Sequence, residues 1–147
     1  MSDFPILLVE DDPDDVFFLR NIFARCGRAD DLQVARDGDE AIAYLSGTDA
    51  FADRNLFPAP ALVLLDLKLP KRSGFEVLEW LRKRSALRRI PVIVLTSSES
   101  ENDIAHAYDL GANSYLVKPI DASTQAEMVK ALCGFWAGFN RPSIGRP

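Results

Sequence analysis

The chain has 147 residues, of which 48% are hydrophobic, and this suits one compact domain with a sizeable core. The net charge of −5 and the isoelectric point near 4.9 argue against nucleic-acid binding, because a protein that binds a phosphate backbone usually carries a basic face. No apolar run approaches the roughly 20 residues that cross a bilayer, and no basic region precedes the first apolar run. We therefore expect a cytoplasmic protein without a membrane partner.

Strand-like and helix-like patterns alternate five times along the chain. Short apolar runs are typical of strands buried in a parallel sheet, and they predict strands at Ile6 to Val9, Leu32 to Ala35, Ala61 to Leu65, Val92 to Leu95 and Ser114 to Val117. A helical pattern follows each strand, from Pro13 to about Cys26, from Gly38 to Leu45, from Gly74 onward, from Glu101 to Leu110 and from Thr124 to about Trp136. Five such units predict an α/β fold with a doubly wound parallel sheet and helices on both faces.

Local signals mark the helix ends and one long connection. Asp12 precedes Pro13 and is expected to cap the first helix, which we favour over a role in metal binding. The four residues from Thr124 to Glu127 read as a capping box for the last helix. The segment from Thr48 to Pro60 shows no periodicity, so we expect a surface loop.

Four of the predicted strands are followed directly by residues that suit a single chemical site. Glu10, Asp11 and Asp12 come directly after the first strand, and Asp66 comes directly after the third. Thr96 follows the fourth strand and Lys118 follows the fifth. Because ligands bind beyond the carboxyl ends of the strands in such sheets, these side chains are candidates for a single site.

The residue types at this edge suit phosphoryl chemistry. The acids after strand one, together with Asp66, offer hard oxygen ligands of the kind that bind Mg²⁺. Lys118 supplies a positive charge and Thr96 a hydroxyl, both suited to phosphoryl oxygens. A carboxylate that attacks phosphorus forms an aspartyl phosphate, and a metal ion with a lysine neutralises the developing charge. The sequence therefore favours Asp66 as a phosphoryl acceptor.

Residues 4–138 resemble the response-regulator receiver domains of two-component signalling, which leaves residues 139–147 as a C-terminal tail. The resemblance rests on the acidic pair Glu10 and Asp11, on Asp66 with Pro70 and Gly74 after it, on Thr96 with Ser97, and on the run from Tyr115 to Pro119. It implies a flavodoxin-like strand order 2-1-3-4-5 and phosphorylation of Asp66. It also implies that Asp11, Asp66 and the backbone carbonyl of Lys68 bind Mg²⁺, with Glu10 helping through water.

The same resemblance implies a switch and a class of partners. Thr96 would turn toward the phosphoryl group and Tyr115 would change rotamer, remodelling the surface around the fourth helix, fifth strand and fifth helix. The bond between Lys118 and Pro119 looks like the family's cis peptide. A histidine kinase or phosphotransfer protein would be the donor, and the chain looks similar to stand-alone regulators paired with bacterial phytochromes.

Two other functions compete with that of a receiver. An aspartate-nucleophile phosphatase also forms an aspartyl phosphate, but such enzymes usually carry an acid two residues after the nucleophile, where this chain has Lys68. A DNA-binding regulator would need an output domain, and only about nine residues follow the last predicted helix. We therefore expect a phosphoacceptor signalling protein rather than a phosphatase or a transcription factor.

Two apolar features predict contacts with other proteins. Phe17 points away from the apolar stripe of the first helix, so it is either a docking residue for a kinase helix or a scattered surface aromatic. The apolar residues of the last helix cover roughly 160° of arc, broader than the stripe of about 100° that one sheet covers. This breadth favours a homodimer, with packing of the tail on its own domain as the alternative.

Overall fold

Five parallel strands form one sheet, and a helix follows each strand along the chain. The computed structural model describes residues 3–142. The strands are β1 (Ile6–Val9), β2 (Leu32–Ala35), β3 (Leu62–Leu65), β4 (Val92–Thr96) and β5 (Ser114–Val117). The helices are α1 (Pro13–Arg25), α2 (Gly38–Ser46), α3 (Gly74–Arg82), α4 (Glu101–Asp109) and α5 (Ala122–Cys133). The strand order β2-β1-β3-β4-β5 confirms the doubly wound, flavodoxin-like α/β fold.

Both faces of the sheet are buried. Successive side chains of a strand point to opposite faces, so Leu7 and Val9 pack with α2, α3 and α4, whereas Ile6 and Leu8 pack with α1 and α5. This two-sided burial explains why the central strands show no polar alternation in the sequence. The edge strand β5 differs, because its four residues are only half-buried.

Each helix begins at a side chain that accepts a hydrogen bond from a backbone amide in its first turn. Asp12 caps α1 as expected, by accepting from the amide of Asp14 at 2.9 Å. The predicted capping box at Thr124 is wrong, because Asp121 caps α5 and accepts from both the amide and the hydroxyl of Thr124, each at 2.9 Å. Aspartate is at least as strong a cap as threonine, so α5 starts earlier, at Ala122. It also ends earlier, and a π-helical segment (Gly134–Phe139) follows it.

The long connection between α2 and β3 is held by one arginine and three rings. Arg54 donates to the carbonyls of Tyr44 and Leu45 in the last turn of α2, at 2.8 and 2.9 Å, and to the carbonyl of Phe57 at 3.0 Å. The rings of Tyr44, Phe51 and Phe57 contact one another, with centroids 5.1 to 6.1 Å apart. The predicted surface loop is therefore fastened to the end of α2.

Three further expectations concern the backbone and the termini. Residues 3–142 contain no cis peptide bond, so the expectation of a cis bond before Pro119 is wrong; proline lowers the energy of the cis form without favouring it over trans. In the same range no helix combines the length and the apolar character that crossing a bilayer requires. Of the predicted tail, residues 143–147 lie outside the described part of the chain.

Candidate functional site

The carboxyl ends of four strands meet at one edge of the sheet. Pairing aligns Val9 of β1 with Leu65 of β3, and Thr96 of β4 with Val117 of β5. The residues that follow these strands are therefore neighbours in space although they are far apart in sequence. The structure brings together Glu10, Asp11, Asp66 and Lys118, four of the predicted site residues.

Three carboxylates form a cluster that fits a divalent cation. Glu10 and Asp66 are buried, Asp11 is exposed, and one oxygen from each lies within 4.8 Å of the others. Carboxylate oxygens at this spacing are the hard ligands that Mg²⁺ prefers, and the exposed side leaves room for water and phosphoryl oxygens. Asp12 lies outside this cluster, because its carboxylate caps α1.

The backbone around Asp66 fixes the orientation of its carboxylate. Oδ1 accepts a hydrogen bond from the amide of Leu67 at 2.7 Å and a longer one from the amide of Lys68 at 3.4 Å. The turn closes where the amide of Gly74 donates to the carbonyl of Leu67 at 2.8 Å. A Cβ atom at Gly74 would collide with the carbonyl oxygen of Asp66, so only glycine fits there. Lys68 itself points to solvent.

The ammonium group of Lys118 contacts three carboxylates. Nζ donates to Glu10 Oε1, to Asp15 Oδ2 at 2.8 Å and to Asp66 Oδ2 at 3.0 Å. Burial lowers the pKa of Lys118, but hydrogen bonds to the three carboxylates outweigh this effect and raise its pKa above the ordinary value. Lys118 therefore stays positively charged and lies against the second oxygen of Asp66.

For Glu10, burial is the dominant effect on the pKa. It raises the pKa of Glu10 from its usual 4.5 to about 7, although the hydrogen bond from Lys118 works against this change. The other oxygen, Oε2, accepts from the amide of Asp12 at 3.1 Å. Without a cation, Glu10 thus holds its proton far more firmly than an exposed glutamate does.

Thr96 and Tyr115 lie next to this cluster on β4 and β5. Thr96 is 1% exposed, and its Oγ1 has no hydrogen-bond partner within residues 3–142. Its carbonyl accepts from the amide of Lys118 at 2.7 Å, which ties the end of β4 to the residue after β5. The hydroxyl of Tyr115 donates to the carbonyl of Ser98 at 2.9 Å.

Asp15 is a residue of this site that our sequence analysis did not identify. It lies in the first turn of α1, where an acid is expected because the positive end of the helix dipole favours it. The predicted fold offered only a general signal, since α1 starts at the same sheet edge that receives Lys118, and this signal does not separate Asp15 from Asp14. A first-turn acid on that helix is within reach of a lysine that follows β5.

Comparison with known proteins identifies the family. Residues 6–130 match the response regulator receiver domain model. The chain is 40% identical over 138 residues to the probable methanogenesis regulatory protein FilR2 of Methanothrix harundinacea, covering 94% of this chain and 86% of that protein. It is 37% identical over 131 residues to the response regulator Rcp1 of Synechocystis, covering 89% and 87% of the two chains.

Solved structures agree with these relatives. The phosphorylated cyanobacterial phytochrome response regulator RcpA superposes with a TM-score of 0.88 at 37% identity, over 96% of this chain and 99% of that one. The Mn²⁺-bound form of Rcp1 superposes with a TM-score of 0.83 at 34% identity, over 95% and 99% of the two chains. None of these relatives supports the phosphatase alternative. The match along most of its length, together with the strand order and the acidic edge, shows that the chain belongs to the response regulator receiver-domain family.

Proposed function

We propose that this protein is a single-domain response regulator that accepts a phosphoryl group on Asp66 in a Mg²⁺-dependent reaction. The observation that carries the proposal is the 3.0 Å contact between Lys118 Nζ and Asp66 Oδ2, beside a cluster of three carboxylates. In this proposal residues 4–138 form the receiver domain, residues 139–147 form its tail, and the protein works in the cytoplasm.

The donor would be a phosphohistidine on a kinase or a phosphotransfer protein. An oxygen of Asp66 attacks phosphorus, the new O–P bond forms as the P–N bond breaks, and the histidine nitrogen keeps the electron pair and takes a proton. Bound by Asp11, Asp66 and the carbonyl of Lys68, with Glu10 acting through water, Mg²⁺ would supply charge neutralisation for the phosphoryl oxygens. Lys118 donates to one of these oxygens. Later attack by water on phosphorus breaks the O–P bond, releases inorganic phosphate and returns the Asp66 carboxylate.

The buried hydroxyl of Thr96 supports the switch that follows. An unpaired hydroxyl inside a protein is unfavourable, and a phosphoryl oxygen on Asp66 would give Oγ1 an acceptor. Rotation of Thr96 would free space beside β4, and Tyr115 would leave the carbonyl of Ser98 to fill it. The new arrangement of α4, β5 and α5 would then control which partner binds.

Two exposed rings on α1 support docking of a histidine kinase at this helix. Phe17 and Phe18 are 64% and 51% exposed, and they contact each other edge to face. Because RcpA is a phytochrome response regulator, a phytochrome kinase is the donor we favour. Phe17→Ala should slow transfer from the kinase about fivefold or more. The reaction with a small phosphodonor should stay unchanged, and Leu56→Ala, at the same 64% exposure in the α2–β3 connection, is the matched control.

The end of the chain supports a homodimer. Val129, Leu132 and Cys133 are buried against the sheet, whereas Phe135 and Phe139 are 53% and 81% exposed. Exposed rings on consecutive turns form an apolar surface that a second copy could cover with twofold symmetry. Light scattering should give a dimeric mass that falls to the monomer in a Phe135→Ser, Phe139→Ser double variant. A monomeric mass for the wild type, with and without phosphorylation, would contradict the dimer.

Intact mass spectrometry tests the central reaction. With Mg²⁺ and a small phosphodonor, the wild type should gain about 80 Da, the mass of one phosphoryl group. Asp66→Asn should gain nothing, and removal of Mg²⁺ with a chelator should abolish the gain in the wild type. A wild type that stays at its original mass, or an Asp66→Asn variant that is phosphorylated equally well, would contradict the proposal.

A further inference from the structure

The hydrogen-bonding capacity of Lys118 is filled before any phosphoryl group arrives. An ammonium group has three N–H donors, and in Lys118 they face three carboxylates, those of Glu10, Asp15 and Asp66. A phosphoryl oxygen on Asp66 must therefore compete for Lys118 with carboxylates that already accept its hydrogen bonds.

The free energy needed to break the contact with Lys118 differs among the three carboxylates. The side chains of Glu10 and Asp66 are 2% and 10% exposed, and both belong to the acidic cluster that fits a cation. Asp15 lies outside that cluster, and its side chain is 30% exposed. Breaking an ion pair costs far less free energy at an exposed carboxylate, where water replaces the lost partner, than at a buried carboxylate. Phosphorylation itself turns Asp66 into a neutral acyl phosphate, so Glu10 and Asp15 are the carboxylates with which a phosphoryl oxygen competes for Lys118, and Asp15 is the one that is most easily exchanged.

We infer that Asp15 is a positioning residue, the resting partner of Lys118 that a phosphoryl oxygen on Asp66 replaces. This inference rests on the proposed function. Asp15 competes with the phosphoryl group for the same ammonium and so weakens the phosphorylated form relative to the unphosphorylated one. It also holds Lys118 at the site before phosphorylation, so that the side chain needs only to exchange one acceptor for another.

Because Asp15 and the phosphoryl group compete for Lys118, replacing Asp15 should increase the affinity for a phosphoryl mimic. Asp15→Asn keeps the size of the side chain but removes the charge that holds Lys118, so a phosphoryl mimic should bind more tightly. We expect about a fivefold gain, the order of one partly exposed ion pair. A variant that merely damages the fold would lose affinity, so the direction of the change separates the two explanations.

Isothermal titration calorimetry with beryllium fluoride, an unreactive mimic of a carboxyl phosphate, tests the inference at saturating Mg²⁺. The matched control is Asp14→Asn, which removes the same charge from the same turn of α1 without removing a partner of Lys118. We expect tighter binding for Asp15→Asn, and for Asp15→Ala as a second variant, and an affinity within about twofold of the wild type for Asp14→Asn. Thermal unfolding of each variant checks that the fold is retained.

The outcomes separate the inference from the function on which it rests. A wild type that binds no mimic in the presence of Mg²⁺ would overturn the proposed function. A wild type that binds, with Asp15→Asn and Asp15→Ala no tighter than Asp14→Asn, would overturn the role of Asp15 and leave the proposed function standing. Equal gains for all three variants would likewise overturn it, because they would reflect net charge rather than the contact with Lys118.

Discussion

Lys118 Nζ lies 3.0 Å from Asp66 Oδ2, although 52 positions separate the two residues in the chain. The end of β5 brings the lysine to the acid at the end of β3. In the proposed reaction this pairing places a fixed positive charge where negative charge would develop, and charge placed in advance lowers the barrier more than charge that must move.

Replacing Lys118 should therefore slow phosphorylation. We expect Lys118→Gln to reduce the rate with a small phosphodonor by about 100-fold or more, the usual effect of losing one such donor. Lys130→Gln, on the exposed side of α5, is the control and should react at the wild-type rate. Rates follow from intact mass against time at saturating Mg²⁺. A Lys118→Gln rate within a few fold of the wild type would show that Lys118 is not part of the transfer step.

The unpaired hydroxyl of Thr96 predicts opposite effects on stability and on switching. Thr96→Val keeps the shape of the side chain and removes a buried polar atom without a partner, so the unphosphorylated protein should gain about 1 kcal/mol in free energy of unfolding. In the wild type the proposed switch predicts that beryllium fluoride changes the environment of the Tyr115 ring, observable by nuclear magnetic resonance, and Thr96→Val should lose this change.

Thr96→Ser is the control for this pair of effects, because it keeps the hydroxyl. It should switch like the wild type and should not gain stability. If urea unfolding shows that Thr96→Val is less stable than the wild type, the hydroxyl has a partner in solution and the argument fails.

The raised pKa of Glu10 predicts that Mg²⁺ binding depends on pH. Because burial raises the pKa of Glu10 to about 7, the metal-free protein keeps this proton below that pH and a cation must displace it. The Mg²⁺ affinity should therefore rise from about pH 5 to about pH 7 and level off above, with proton release in the lower part of the range. Calorimetry in buffers of different ionisation enthalpy measures both quantities. Glu10→Gln should bind more weakly but with a flatter pH profile; an unchanged profile would assign the proton to another group.

Gly74 lies so close to the backbone of Asp66 that a single methyl group added at Gly74 should destabilise the protein. A Cβ at Gly74 would meet the carbonyl of Asp66 and lie 2.7 Å from Cα of Leu67, so Gly74→Ala should destabilise the protein by about 3 kcal/mol. It should also slow phosphorylation, because the turn that orients Asp66 must shift.

The matched control is Gly134→Ala, since a Cβ at Gly134 meets nothing within 4 Å and its backbone is helical. We expect this variant to be more stable than the wild type by about 0.5 to 1 kcal/mol. Urea unfolding compares the two substitutions directly. Equal effects on stability would mean that the turn relaxes around the added methyl group.

The sheet and its acidic edge could be predicted because they depend on strong local patterns. Uninterrupted apolar runs give the buried strands, and in a parallel sheet the residue after each strand must lie at one edge, as Asp66 and Lys118 do. The same reasoning identified Asp12 as a cap, since proline at the first helical position and an acid before it favour one structure.

What could not be predicted depends on small energy differences or on contacts distant in sequence. Asp121 and Thr124 are both good caps whose strengths differ little, so the sequence pattern did not decide between two starts for α5, and the structure uses Asp121. Nothing local distinguishes Asp15 from any acid in a first helical turn, because its partner Lys118 lies 103 positions away. The assignment of the peptide bond before Pro119 failed for a related reason, since cis and trans differ by only about 1 kcal/mol there.

The hydrogen bonds from Arg54 to three carbonyls should protect the connection between α2 and β3 from proteases. The connection between α2 and β3, residues 47–61, would ordinarily be a preferred place for a protease to cut, because an exposed segment can fit extended into the enzyme's cleft. Here one guanidinium and a cluster of rings would have to detach first. Cleavage of this connection would therefore require it to detach from the last turn of α2, and the first cuts in a limited digest should fall elsewhere.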